Sequence, residues 1–97
     1  MLLFVEFDIN ADIIDVPQEV IDNRKLLNRA CVNWLYSSAV KPRYTVTING
    51  HRGLCYRSEA FVAFLNENLL KDSKQKAFIV EQCVSRDNRQ NLPSVFF

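Results

Sequence analysis

The run Tyr44-Thr45-Val46-Thr47-Ile48 alternates strictly and leads at once into Asn49-Gly50, which is followed by His51-Arg52-Gly53-Leu54-Cys55-Tyr56-Arg57. A period of two places successive side chains on opposite faces of a strand. Asn-Gly supplies the two positive φ angles of a type I′ turn. The stretch therefore predicts a hairpin that pairs Ile48 with His51, Val46 with Gly53 and Tyr44 with Cys55. The bulk of Tyr44, Val46 and Ile48 assigns their face to the core. Arg43, Thr45, Thr47, Arg52, Leu54 and Tyr56 then face the other way.

Outward from the hairpin, helices and strands alternate. Leu2 to Ile9 is apolar and aromatic, with Glu6 and Asp8 alternating near its end, and reads as a first strand. Asn10 to Asp15 reads as a polar connection. A helix is expected from Val16 to Ser38. Asp15 and Gln18 have capping-box spacing, Pro17 falls in the first turn, and Val20, Leu27, Cys31, Trp34 and Leu35 form one stripe. Pro42 stops any continuation. Ser58 should cap a second helix whose core face is Phe61, Val62, Leu65 and Leu69. Ala77 to Val84 reads as the last strand. This order is that of a ferredoxin-like βαββαβ two-layer sandwich, an α+β fold with two helices on one face of a four-stranded antiparallel sheet. Ala30-x-Val32-x-Trp34-Leu35 and Ala60-x-Val62-x-Phe64-Leu65 echo each other, as two related halves would. Residues 1–84 form a single α+β domain on this reading, and residues 85–97 a C-terminal tail with the apolar end Leu92-Pro93-Ser94-Val95-Phe96-Phe97.

The bulk composition fits one globular domain. The chain has 97 residues, 48% of them hydrophobic and 24% charged, enough for a core without metal or disulfide staples. Cys31, Cys55 and Cys83 are odd in number and widely spaced, so they read as free thiols in a reducing compartment. The N-terminus lacks the basic region of a signal peptide, and no apolar stretch reaches the roughly 18 residues of a membrane span. A cytoplasmic location is expected. His51 is the lone histidine. On a strand it shares a face with Cys55 but lies roughly 13 Å from it, too far to activate a thiol. No phosphate loop, nucleophile elbow or metal-ligand spacing occurs. The sequence thus predicts no enzyme, no cofactor and no metal.

Charge is segregated along the chain. Glu6, Asp8, Asp12, Asp15, Glu19 and Asp22 form an acidic block, and Arg24, Lys25, Arg29, Lys41, Arg43, Arg52 and Arg57 a basic one. Folding either interleaves the two into surface ion pairs or leaves a basic surface for an anionic partner. The sheet supplies a second clue. Its side away from the helices should carry Leu2, Phe4, Leu54, Tyr56 and either Phe78 with Val80 or Ile79. A soluble monomer rarely leaves such a patch bare. It calls for a cover, which is the tail (Val95, Phe96, Phe97), a second copy of the chain or another protein.

Leu3-Phe4-Val5-Glu6 and Arg52-Gly53-Leu54-Cys55-Tyr56 resemble the RNP2 and RNP1 segments of an RNA-recognition motif. That resemblance implies bases stacked on Phe4 and Tyr56. It covers only these two short segments. Leu54 stands where the motif has an aromatic and Arg57 where it has an aliphatic residue, so membership of that family does not follow. The leading expectation is a non-enzymatic protein-interaction domain, self-associating through the outer sheet face as a homo-oligomer or binding another protein, of the kind found among small inhibitors and accessory proteins. Its expected partner-binding residues are Phe4, Arg43, Arg52, Leu54, Tyr56, Phe96 and Phe97. The alternative is a single-stranded nucleic-acid-binding module, with Phe4 and Tyr56 stacking bases and Lys41, Arg43 and Arg52 meeting phosphates. No membrane partner is expected.

Overall fold

A computed structural model describes residues Met1–Phe97. The chain opens with a hairpin, β1 (Leu2–Glu6) and β2 (Ala11–Asp15). The helices α1 (Gln18–Asp22), α2 (Arg24–Leu35) and α3 (Lys41–Tyr44) follow. A second hairpin, β3 (Thr45–Ile48) and β4 (His51–Leu54), leads to α4 (Ser58–Glu67). The chain ends with β5 (Phe78–Val84), a 3-10 turn (Arg86–Asn88) and β6 (Ser94–Phe96).

The α+β class holds, but the strand arrangement differs from the ferredoxin-like one. The main sheet has four strands in the order β5-β2-β1-β6, and β3-β4 stands apart as a two-stranded unit. The difference begins at Asn10–Asp15. The Phe7 N–H donates to the Asn10 carbonyl at 2.9 Å, which turns the chain after β1 and sends β2 back antiparallel, Leu2 opposite Asp15 and Glu6 opposite Ala11. With β2 in the place beside β1, no position is left for the Asn49-Gly50 hairpin. The repeated halves suggested by the Ala30 and Ala60 segments are likewise absent.

The local signals around Asn49-Gly50 hold. Asn49 and Gly50 have φ of 51° and 80°, and Ile48 faces His51 while Val46 faces Gly53. Cys55 N–H donates to the Tyr44 carbonyl at 2.8 Å. The assignment of faces holds at Tyr44, which packs against the core, but fails further along the hairpin. Val46 and Ile48 are 41% and 66% exposed, whereas Leu54 packs against the core.

The long helix is broken at Asn23, whose φ of −116° interrupts helical geometry between α1 and α2. Asp15 lies in β2, so the capping box does not form. Asp15 instead meets the N-terminal ammonium at 3.2 Å, and Gln18 donates to Asp22 at 2.8 Å. Pro42 sits in the first turn of α3 rather than ending a helix, where its missing N–H costs nothing.

The core lies between the main sheet and the helices. Leu3, Val5 and Ile14 of the sheet meet Val20, Cys31, Leu35, Phe61, Phe64 and Leu65. Register places Leu2, Phe4 and Glu6 of β1 on the opposite, outer face. There Phe4 is fully buried in a second cluster with Ala11, Val84, Ile13 and Leu92. The tail provides that cover. Phe4 N–H donates to the Pro93 carbonyl at 2.9 Å, and β6 then runs parallel to β1, Val5 opposite Val95. The last residue crosses to the helix side. Phe97 stacks on Phe7 at 5.8 Å and meets Phe61 and Tyr56 edge-on at 5.3 and 6.0 Å.

Truncating a large buried aromatic costs about 3–5 kcal/mol. Phe4→Ala is expected to lower the thermal midpoint strongly. Removal of residues 92–97 uncovers Phe4 and deletes a strand, so circular dichroism should show an aggregated or unfolded chain. A well-folded truncation would show that the tail is dispensable.

Candidate functional site

One polar cluster lies inside the fold. Asp12, on the β2 strand, is fully buried. Ser58 Oγ, at the start of α4, donates to its Oδ2 at 2.6 Å. Arg57 and the Cys83 N–H each donate to Oδ1 at 3.0 Å. Arg57 also donates to Asn10 Oδ1 at 2.6 Å, and its guanidinium lies 4.5 Å over the Phe7 ring. The α4 N-terminus adds its own positive field. Burial would raise the Asp12 pKa, but Ser58, Arg57 and the Cys83 N–H outweigh it and hold the carboxyl below its ordinary value. Every oxygen of this carboxylate is committed and none reaches solvent. The cluster therefore fastens β2, α4 and β5 together rather than offering an acid or base. Ser58, expected as a helix cap, spends its hydroxyl here. The cap position is Arg57, whose N–H donates to Glu59 at 3.0 Å.

The expected partner-binding residues do not form one surface. Phe4 is buried under Leu92. Leu54 sits on the hairpin and packs inward, and Tyr56 packs on Phe97, on the helix side of the main sheet. Phe4 and Tyr56 are thus on opposite sides of that sheet and do not make a stacking platform, and the two RNP-like segments are not neighbouring strands. Arg43 is held by Glu67 through bonds of 2.9 and 2.7 Å, and its guanidinium lies 5.2 Å over Trp34. Phe97 is tied into the core. Only Arg52 and Phe96 remain open, and Arg86 lies 5.4 Å over the Phe96 ring.

Two exposed features remain. The first is on the outer sheet face at its β5 side. Register aligns Leu2, Asp15 and Phe78 in one row. Leu2 is 38% exposed, Phe78 55% and the bulged Val80 50%, whereas Ile79 turns to the core. β5 is bonded to β2 alone, so its other edge is unpaired. The second is the β3-β4 hairpin with the loop between α2 and α3, where Tyr36, Lys41 and Arg52 are exposed. The two charge blocks hardly meet. Of the ion pairs, only Arg57–Asp12 joins one block to the other. Glu6 pairs with Arg86, Asp15 with the N-terminus and Arg43 with Glu67. Lys41 and Arg52 have no carboxylate partner.

No three metal-binding side chains converge, and no helix is long and apolar enough to cross a membrane. The three cysteines are free, with Cys31 buried and Cys55 and Cys83 exposed. Comparison with known proteins finds no family model, no curated protein and no solved structure that matches this chain.

Removing one partner of a buried, hydrogen-bonded charge pair costs about 3–5 kcal/mol, and Asp12→Ala should destabilise the fold by that order in urea melts. A folded-state carboxyl held below its unfolded value stabilises at neutral pH; that contribution starts to decline once pH drops below the ordinary carboxyl value of about 3.9 and is lost as pH falls through the lowered folded value. The stability gap between the wild type and Asp12→Asn should therefore narrow in acid. A gap that stays constant or widens as pH falls contradicts the assignment. Burial pushes the Cys31 thiol up to about 12. Cys31 should resist a thiol reagent until the chain unfolds, while the exposed Cys55 reacts at once.

Proposed function

We propose that this chain is a non-enzymatic protein-interaction module that self-associates through the β5 side of its outer sheet face. The observation that carries this reading is the unpaired edge of β5 with Phe78 and Val80 beside it. An edge strand offers a row of unsatisfied N–H and C=O groups to any passing strand. Natural edges are blunted by Pro, by Lys or by bulges. Phe78–Val84 contains neither Pro nor Lys; its one charge is Glu81, and bulges interrupt its pairing with β2.

Antiparallel pairing of β5 with β5 of a second copy would join two four-stranded sheets into one. Phe78 and Val80 of the two copies would meet across the seam, and their burial there would supply the driving force at about 25 cal/mol per Å² of apolar area. The bulges bend the strand, so backbone pairing stays short and Phe78 and Val80 carry most of the affinity. Asp12 and Ser58, the one acid–hydroxyl pair, are closed to substrate, which supports a binding role over catalysis. The free thiols support a reducing, cytoplasmic setting.

Sedimentation equilibrium tests the proposal. The wild type should sediment as a dimer whose mass does not fall as salt rises, because apolar burial is not weakened by screening. Phe78→Glu should give a folded monomer, while Ile48→Lys on the exposed hairpin leaves the mass unchanged. A wild-type monomer, or a Phe78→Glu dimer, overturns it.

A further inference from the structure

The cleft between the hairpin and the α2–α3 loop has a different character from the β5 surface. About 550 Å³ in volume, it is lined by Tyr36, Ser38, Lys41, Pro42, Thr45, Arg52, Gly53 and Leu54. It holds two cations and no carboxylate. Two clefts elsewhere on the molecule are mixed in sign. One pairs Asp15 with Lys74 and Lys76, and another Glu6 with Lys25 and Arg29. Neither Lys41 nor Arg52 enters an ion pair, so their charge is uncompensated within the molecule.

Tyr36 is 60% exposed, and the Lys41 ammonium lies 5.8 Å over its ring. An aromatic face beside a free cation is the combination that single-stranded nucleic acid uses, with a base on the ring and a phosphate on the ammonium. The surface continues past Arg52. Arg52, Gly53 and Leu54 also line the neighbouring groove with Val46, Ile48 and His51. A Cβ at Gly53 would meet nothing within 4 Å, so the hairpin is open and low at that point. A strand crossing it would pass from Tyr36 and Lys41 over Arg52 to the apolar side chains beyond.

We propose that this cleft binds single-stranded nucleic acid, with Tyr36 as the stacking ring and Lys41 and Arg52 as the phosphate contacts. The site is separate from the self-association surface and does not rest on it. An acidic peptide would be drawn by the same cations but would leave the Tyr36 ring unused.

Fluorescence anisotropy of a dye-labelled, mixed-sequence single-stranded DNA oligonucleotide tests this, with the Phe78→Glu chain run in parallel to separate binding from oligomeric state. The wild type should bind at low salt, with affinity falling linearly on a log–log plot as salt rises. Lys41→Ala and Arg52→Ala should each weaken binding and lower that salt slope by about 1. Tyr36→Ala should weaken binding by about tenfold. Lys74→Ala, in another cleft, should have no effect. All four positions are exposed, and circular dichroism checks that each variant folds. Absence of binding at low salt overturns the proposal, as does wild-type affinity in Tyr36→Ala. So does an oligoglutamate of equal charge that competes as well as unlabelled DNA, since that outcome identifies an acidic peptide as the ligand.

Discussion

The carboxylate of Asp12 has no access to water, and donors on two separate segments converge on it. Ser58 and Arg57 come from the start of α4, and the Cys83 N–H comes from the far end of β5. A charge in that position is tolerable only while all its donors stay in place. The network therefore fixes how α4 sits on the sheet and where β5 ends. It also accounts for the backbone at Cys83, whose φ of 58° is unusual for a residue with a side chain. The left-handed turn aims that N–H at Asp12, and the bond offsets the conformational cost. Arg57 extends the network to Asn10 and covers the Phe7 ring, tying it to the turn between β1 and β2 and to the aromatic cluster around Phe97.

The sheet that results is unequal at its two sides. β6 is three residues long, and Asn28 of α2 donates to its Phe96 carbonyl, so a helix side chain attends that edge. β5 has seven residues and nothing beyond it. The outer face repeats the asymmetry. Its centre is closed over Phe4 by Leu92, while the end bearing Leu2 and Phe78 stays open. The β3-β4 hairpin, excluded from this sheet, is held mainly by Leu54, Tyr44 and Tyr56 at its base. A two-stranded hairpin has little stability of its own, so these anchors set the position of the cleft that Tyr36, Lys41 and Arg52 share.

Short-range signals were legible in the sequence. Asn49-Gly50 dictated its turn and its register, and the apolar stripes named Cys31, Leu35, Phe61 and Leu65, which the structure buries, but also Leu69, which lies past the end of α4 and is exposed while its neighbour Leu70 is buried. The missed element was β2. Ala11-Asp12-Ile13-Ile14-Asp15 has two carboxylates and no clean alternation, because Asp12 turns inward to meet donors that lie far away in sequence. No local pattern reveals such a partner. That omission moved the hairpin into the main sheet on paper and so placed Phe4, Leu54 and Tyr56 on one face, where hydrophobicity alone seemed to unite them. The need for a cover over Phe4 was legible, and so was the tail as a candidate. Its route, pairing along β1 and then crossing to the helix side, depended on the vacancy that β2 left beside β1.

The parallel pairing of β6 with β1 joins the first strand of the chain to the last. During synthesis β1 can pair with β2 as soon as both are made, yet its other edge and the Phe4 ring stay bare until residues 92–97 follow. Domains that must wait for distant segments expose sticky surface in the interval. A chain without residues 92–97 would stay in that state, with the β1 edge and the Phe4 ring uncovered. Burial of Phe4 thus depends on a segment some ninety residues away along the chain.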